Sequence, residues 1–568
     1  MIRRHLKFDS AFIVFFIVIL FSFNACSDKV KNDSIVFRSV SILKERNSEL
    51  TEKQLASWFL KDVFRDTLPG ISLDLAYEFL EGKKPDTVVV AVLDMTIDID
   101  HEDLLDFIWI NEDEIADNNV DDDGNGFIDD IHGWNFIGGK NNEGSQFVNY
   151  EYTRILRKYD SIFSGKDKLD IEKHLWPEFE QYSRAQAAYK ERMNYAKEEA
   201  ANASGLSYLN SENKSILSQY ILSSEFTIEK LDSLSFEHIN DTVLQKEITF
   251  RKQLIQYGIL DEDIFEDKLK ADERIDKLLN LEYNDRKFIG DKSPDDLNYI
   301  NYGNNIVNYN TSLLDHGTLV AGVIAANRDN NKGASGITNA VKIMPLSISA
   351  YGDEHDKDIA LAIRYAVDNG ASIINMSSGK SFSMNQQWVK EAIKYAEKKD
   401  VLIVTSAGND GLDLDDKSNF NYPNDTEGED KEVSNNFIKV GSSTSHIGEG
   451  LFDKYSNYGN REVDIFAPGE EIYTTAPLKD QYISKSGTSF SAPIVSGIAA
   501  LVRAYYPKLT AEEVKNIILE SGVEYAFEVN ISKEEEQPDL VPFSSLSKSG
   551  KIVNAYYALQ LAEQISQN

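Results

Sequence analysis

The sequence predicts an α/β fold, a three-layer sandwich with a mainly parallel central sheet flanked by helices, carrying a large, mostly helical insertion. Short apolar, β-branched runs recur as VVVAVLD, VKIMPLSI, ASIINMSSG, DVLIVTSAG and FIKVGSST. They are apolar at successive positions rather than at alternate ones, as strands covered on both faces are. Helical segments such as DIALAIRYAVDNG and QWVKEAIKYAEKKD lie between them on short connections, and that alternation gives parallel pairing. Residues 147–298 break the pattern with charged amphipathic runs and hold no proline between Pro177 and Pro294.

Taken in order, the chain begins with the basic stretch MIRRHLKFDS and an apolar run, Ala11 to Phe21, too short to span a membrane comfortably. Residues 1–25 read as a secretory leader. Cys26 is the only cysteine, so no internal disulfide forms. Its place just after the apolar run resembles a bacterial lipoprotein acylation site. That resemblance implies export, with a lipid anchor on Cys26 holding the protein to the cell envelope; cleavage without acylation would give a secreted protein. Residues 26–48 read as a tether. Leu55, Phe59, Val63 and Leu68 are spaced for one helix that ends at Pro69-Gly70, and a second runs from Ser72 to Glu81. Residues 49–146 and 299–568 then form the sandwich, with 147–298 inserted between them. The charges of the insertion read as a solvated face.

The formal net charge is −35, from 59 Lys and Arg against 94 Asp and Glu, which argues against nucleic acid or an anionic surface as the main partner. Acidity of this size suits a secreted protein or one that holds calcium.

Ser489 stands in GTSFSAP ahead of the apolar run IVSGIAALV. On its own it is either a nucleophile or the small polar start of a buried helix. Asp94 closes the strand VVVAVLD, placed either to orient an imidazole or to cap the next turn. His316 opens the helical pattern HGTLVAGVIAA, where the helix dipole favours a neutral ring able to accept a proton. The order Asp94, His316, Ser489 matches one of the chain orders that build an acid–base–nucleophile triad.

These blocks resemble the subtilase family of serine peptidases. VVVAVLDMTIDIDHEDL is similar to its aspartate block, HGTLVAGVIAA to its histidine block and GTSFSAPIVSGIAALV to its serine block. The segment TSAGND is similar to the one that carries the oxyanion asparagine, here Asn409, and INMSSG to the strand that pairs with substrate. The resemblance implies a subtilisin-like fold and a serine endopeptidase acting on protein or peptide substrates through an acyl-enzyme. It assigns catalysis to Asp94, His316, Ser489 and Asn409, and substrate contact to Ser377, Ser378, Gly379 and Gly408. Pro493 is expected where early helical N–H groups lack partners.

Two features depart from the family pattern. Met95 and Thr96 stand where the family has Thr or Ser and then Gly, which leaves open a weak or inactive enzyme serving as a surface scaffold. The segment NVDDDGNGFIDDIHGW places Asp121, Asp123, Asn125, the Phe127 carbonyl and Asp129 at calcium-loop positions 1, 3, 5, 7 and 9, with Gly126 at 6. His132 stands where an EF-hand has its glutamate, so the loop is not an EF-hand. The expected cofactor is a structural calcium ion near the aspartate block.

Overall fold

The structure is a computed structural model that describes residues 37–41, 50–139, 144–427, 431–478, 481–534 and 537–567. The leader, Cys26 and most of the tether lie outside the described residues. Among those described, no helix is long and apolar enough to cross a membrane.

A ten-stranded sheet forms the middle layer. Its centre consists of β1 (Val88–Asp94), β2 (Val341–Ser347), β3 (Ile373–Met376), β4 (Leu402–Ser406), β5 (Phe437–Ser443) and β6 (Ile465–Pro468). Their spatial order is β6-β5-β4-β3-β1-β2, all parallel. Trp134–Asn135 extends the β2 edge, while Lys551–Ile552, Val523–Tyr525 and Ser39–Val40 extend the other. Pairing of Val523–Tyr525 with Lys551–Ile552 is the sheet's antiparallel step.

Side chains along β1 alternate between two apolar layers. Val90 and Val92 face α1 (His316–Ala325), α4 (Thr488–Tyr505), α5 (Ala511–Ser521) and α6 (Ala555–Ser566), whereas Ala91 and Leu93 face α2 (Asp356–Asp368) and α3 (Gln386–Lys398). Apolar residues on both faces are thus what the sandwich requires of its strands. The register pairs Asp94 with Ser347, Leu93 with Met376 and Met376 with Thr405. It thereby brings the carboxyl ends of β2, β1, β3 and β4 to one edge, the usual place for a site in an open parallel sheet.

The stretch Leu50–Leu68 differs from the single helix predicted. It breaks into Glu52–Leu55, a 3₁₀ turn at Trp58–Leu60, and Val63–Asp66. Asp62 accepts hydrogen bonds from the backbone N–H groups of Phe64 and Arg65, starting the last piece afresh, so a cap overrides the apolar spacing.

Within 147–298 the helices include Glu151–Phe163, the 42-residue helix Trp176–Leu217, Ile228–Glu237, Thr242–Gln256 and Asp261–Glu273. One apolar cluster joins Ile155, Phe163 and Tyr182 to Phe382, just beyond β3. A second, of Leu217, Leu231, Leu234, Leu244 and Ile248, holds the helices together further along. The charges here are not all solvated: Glu151, Arg154, Asp285 and Arg286 are buried.

Candidate active site

Asp94 sits at the end of β1, 1 % exposed, and its Oδ1 lies 2.7 Å from His316 Nδ1. His316 is the first residue of α1. Gly317 lets this helix rest on the turn after β1, since a Cβ there would lie 2.6 Å from the Met95 carbonyl oxygen. Thr318 Oγ1 then accepts a hydrogen bond from the Asp98 N–H, fixing the helix start to the same turn. The HGT sequence therefore places an imidazole against a strand-end carboxylate.

Burial alone would lower the His316 pKa, but the charge and hydrogen bond of Asp94, with Asp315 and Glu354 nearby, raise it above the ordinary imidazole value. The bond at Nδ1 leaves Nε2 as the proton-accepting nitrogen of the neutral ring.

Met95 donates its backbone N–H to Asp94 Oδ1, and the buried Oδ2 has no hydrogen-bond partner among the described residues. Thr96 is fully buried with its hydroxyl on the Leu314 carbonyl, so it does not supply the hydroxyl that Met95 lacks.

Ser489 lies in the first turn of α4, and Gly487, at φ 136°, turns the chain into the helix. Pro493 has a role that its position alone did not predict. A residue there would ordinarily donate its N–H to the carbonyl four residues back, that of Ser489, and proline has none to give. The Ser377 hydroxyl takes the donor's place at 2.8 Å. In return, Ser489 Oγ donates to the Ser377 carbonyl at 3.1 Å. Asn375, fully buried, donates to Ser377 Oγ and accepts from Ser496 in α4, so the end of β3 and the start of α4 are tied together.

Asn409 follows β4. Its Oδ1 accepts from Thr488 N at 2.8 Å and Thr488 Oγ1 at 3.0 Å, which leaves the NH₂ end free to donate. The neighbouring Gly408 N–H donates to Thr488 Oγ1. Asn457, in the SNYG turn, donates to the Ala407 carbonyl and accepts from Asp410 and Leu412, bracing the loop. Asp94, His316, Ser489, Asn409, Ser377, Ser378, Gly379 and Gly408 all line one cleft of about 350 Å³. Ser349, Glu354 and Asn421 line it too, and sequence reasoning missed them because no local motif marks them.

In the acidic loop, the fold gathers a different set from the one spacing picked. Carboxylate oxygens of Glu114, Asp123 and Asp130 lie within 4.8 Å of one another. Asp121 instead accepts the N–H groups of Asn125 and Gly126, and Asp129 those of Asn118 and Asn119. The Phe127 ring is buried against Trp134 and Tyr365. Asn125 bridges Asp123 and Asp130 through its Nδ2, as does Asn111.

The model of the subtilase peptidase family matches residues 85–537, most of the chain. The chain belongs to the subtilase family. It is 34% identical to a cell wall-associated protease of Bacillus subtilis over 42% of this chain and 25% of that protein. With the major intracellular serine protease of Bacillus subtilis it shares 38% identity over 34% of this chain and 55% of that protein. The chain thus spans a quarter to about half of the length of these two relatives. A solved protease structure from Pseudoalteromonas arctica is similar at 27% identity, covering 44% of this chain and 70% of that one with a TM-score of 0.35. Membership of the subtilases implies serine endopeptidase chemistry at the level of the family.

Proposed function

We propose that this subtilase hydrolyses peptide bonds through an acyl-enzyme on Ser489. The observation that carries the reading is the 2.7 Å Asp94–His316 bond in a cleft shared with Ser489 and with an asparagine amide held oxygen-inward. Substrate adds as a strand along Ser377–Gly379, and its N–H takes the Ser377 carbonyl that Ser489 Oγ occupies. The freed hydroxyl attacks the carbonyl carbon as His316 Nε2 takes its proton. The oxyanion then meets Asn409 Nδ2 and the Ser489 N–H. His316 returns the proton to the leaving amine as the C–N bond breaks, and water completes hydrolysis by the same route, restoring Ser489. Asp94 holds the ring tautomer and stabilises the imidazolium.

A fluorophosphonate probe tests this directly. One equivalent is expected to bind the folded protein, and peptide mapping should place the adduct on Ser489. Folded protein that takes no label would favour the scaffold reading, which rests on the unpartnered Asp94 Oδ2 beside Met95.

Glu114, Asp123 and Asp130 suit a structural calcium ion. Their carboxylates repel one another, and burial raises the pKa of Glu114 and Asp130, costs that a cation would relieve. Calcium at a hundredfold excess over its Kd is expected to stabilise the protein by about 2.7 kcal/mol, read as a higher unfolding temperature that EDTA reverses. Glu114→Gln is expected to remove that response. The reading for the first residues is export by the 1–25 leader and lipid anchoring at Cys26.

A further inference from the structure

The strand order lays out the cleft from one side to the other. Gly408 and Asn409 follow β4, Ser377–Gly379 follow β3, Asp94 ends β1, and Ser349–Glu354 follow β2. Glu354 is 7 % exposed and lines the cleft with Ser489 and His316. Ser349 Oγ donates to its Oε1 at 2.7 Å. Its Oε2 carries no hydrogen bond among the described residues and is not sealed from solvent. The side chain is thus nearly buried, fixed at one oxygen and open at the other.

The other charged groups of the cleft do not neutralise it. Lys380 Nζ is turned into the wall, onto the Glu354 carbonyl at 2.6 Å and Asp356 Oδ1 at 2.8 Å. Asp94 is committed to His316, and Asp410, on the far side by Asn409, adds negative charge. A peptide strand sends successive side chains to opposite sides. When the reacting residue faces Gly408 and Asn421, the residue before it faces His316 and Glu354.

We propose that Glu354 is a specificity-determining residue that selects lysine or arginine in the substrate residue immediately preceding the one whose carbonyl Ser489 attacks. The inference rests on the endopeptidase reading. A cationic side chain reaching Oε2 forms a charge-assisted hydrogen bond in a mostly desolvated spot, whereas an acidic one meets like charge. Nearness of Glu354 to the ring is supported by its share in raising the His316 pKa.

Matched peptides that carry Lys, Gln or Glu at this position provide the test, with kcat/KM as the readout. The wild type is expected to prefer Lys over Glu by about tenfold or more. Glu354→Gln, which keeps an oxygen for Ser349, should flatten the series, mainly by slowing the Lys peptide. A second readout separates this role from a structural one. His316 acts as a base only when neutral, so activity falls as pH drops through its pKa. Asp94, Asp315 and Glu354 raise that pKa, with Lys270 and Lys485 acting on Asp315. Glu354→Gln should therefore move the acid limb to lower pH. Equal cleavage of the Lys and Glu peptides by wild type, or an unchanged preference in the variant, would overturn the assignment while leaving the endopeptidase reading in place. No cleavage of any peptide, with Ser489 unlabelled by the probe, would remove both.

Discussion

Ser489→Ala is expected to lower kcat by about 10⁶-fold, the size of loss that the nucleophile carries in subtilisin, with KM little changed. Among the described residues nothing in the fold depends on this hydroxyl, whose one hydrogen bond there is to the Ser377 carbonyl. The start of α4 is held instead by Thr488 on Asn409 and by the Gly487 N–H on the Gly469 carbonyl, and alanine keeps both. The substrate wall at Ser377–Gly379 is likewise untouched, so binding persists while the attacking atom is gone. His316→Ala should cost about as much, and the double variant hardly more, because hydroxyl and base act as a unit. Asn409→Leu removes one oxyanion donor together with the acceptor that holds Thr488, and should still cost less, at least roughly 10²- to 10³-fold. Steady-state kinetics on one peptide at one pH would check the set. Per-cent-level activity in Ser489→Ala would show that another group attacks.

These candidate residues were legible in the sequence because each lies in a contiguous block that also sets its local geometry. The motif HGT contains both the imidazole and the glycine that seats its helix, and GTSFSAP contains the serine, its helix start and the proline that frees its carbonyl. Strand and helix alternation was readable for a similar reason: burial on both faces leaves an unbroken apolar run. What escaped depends on register between distant segments. Glu354 shares the cleft with His316 only because β2 lies beside β1, Val88 pairing with Val341, 253 positions further along the chain, so no local spacing reveals it.

In the acidic loop, spacing and fold single out different carboxylates. Counting along the chain selects Asp121 and Asp129, whereas the carboxylates that cluster are Asp123, Asp130 and Glu114, which enters from upstream and itself accepts the Asp122, Asp123 and Asp129 N–H groups. In the insertion, Glu151 and Arg154 have the i,i+3 spacing of a solvent-facing pair, and only the packed fold shows them buried.

That pair carries the largest expected effect on stability. Arg154→Met is expected to destabilise the protein by about 3–5 kcal/mol. Arg154 is 3 % exposed and uses its whole fork. Nε and Nη2 donate to the Glu151 carboxylate, Nη1 to the Asn149 and Asp353 carbonyls at 2.7 and 2.9 Å, and Nη2 also to the Glu354 carbonyl at 3.0 Å. Burial raises the Glu151 pKa, but the charges of Arg154 and Lys380 outweigh it and hold the carboxyl at about 2. Because this folded-state value lies below the ordinary one of 4.5, the stability it contributes is present above pH 4.5 and is lost as pH falls toward 2. Methionine would fill most of the space but leave Glu151 buried with Lys380 at 3.5 Å and take the Arg154 donor from the Asn149 and Asp353 carbonyls, while the Glu354 carbonyl keeps Lys380. Denaturant midpoints near pH 7 would measure the loss. Arg154→Met combined with Glu151→Met should recover part of it, since a buried pair replaced by apolar groups of similar volume is often tolerated where a broken pair is not. Because the fork holds the Asp353 and Glu354 carbonyls at the cleft wall, kcat/KM should also fall in the fraction that stays folded. A single variant as stable as wild type would mean that water reaches Glu151 and that the insertion is not pinned to the cleft through this residue.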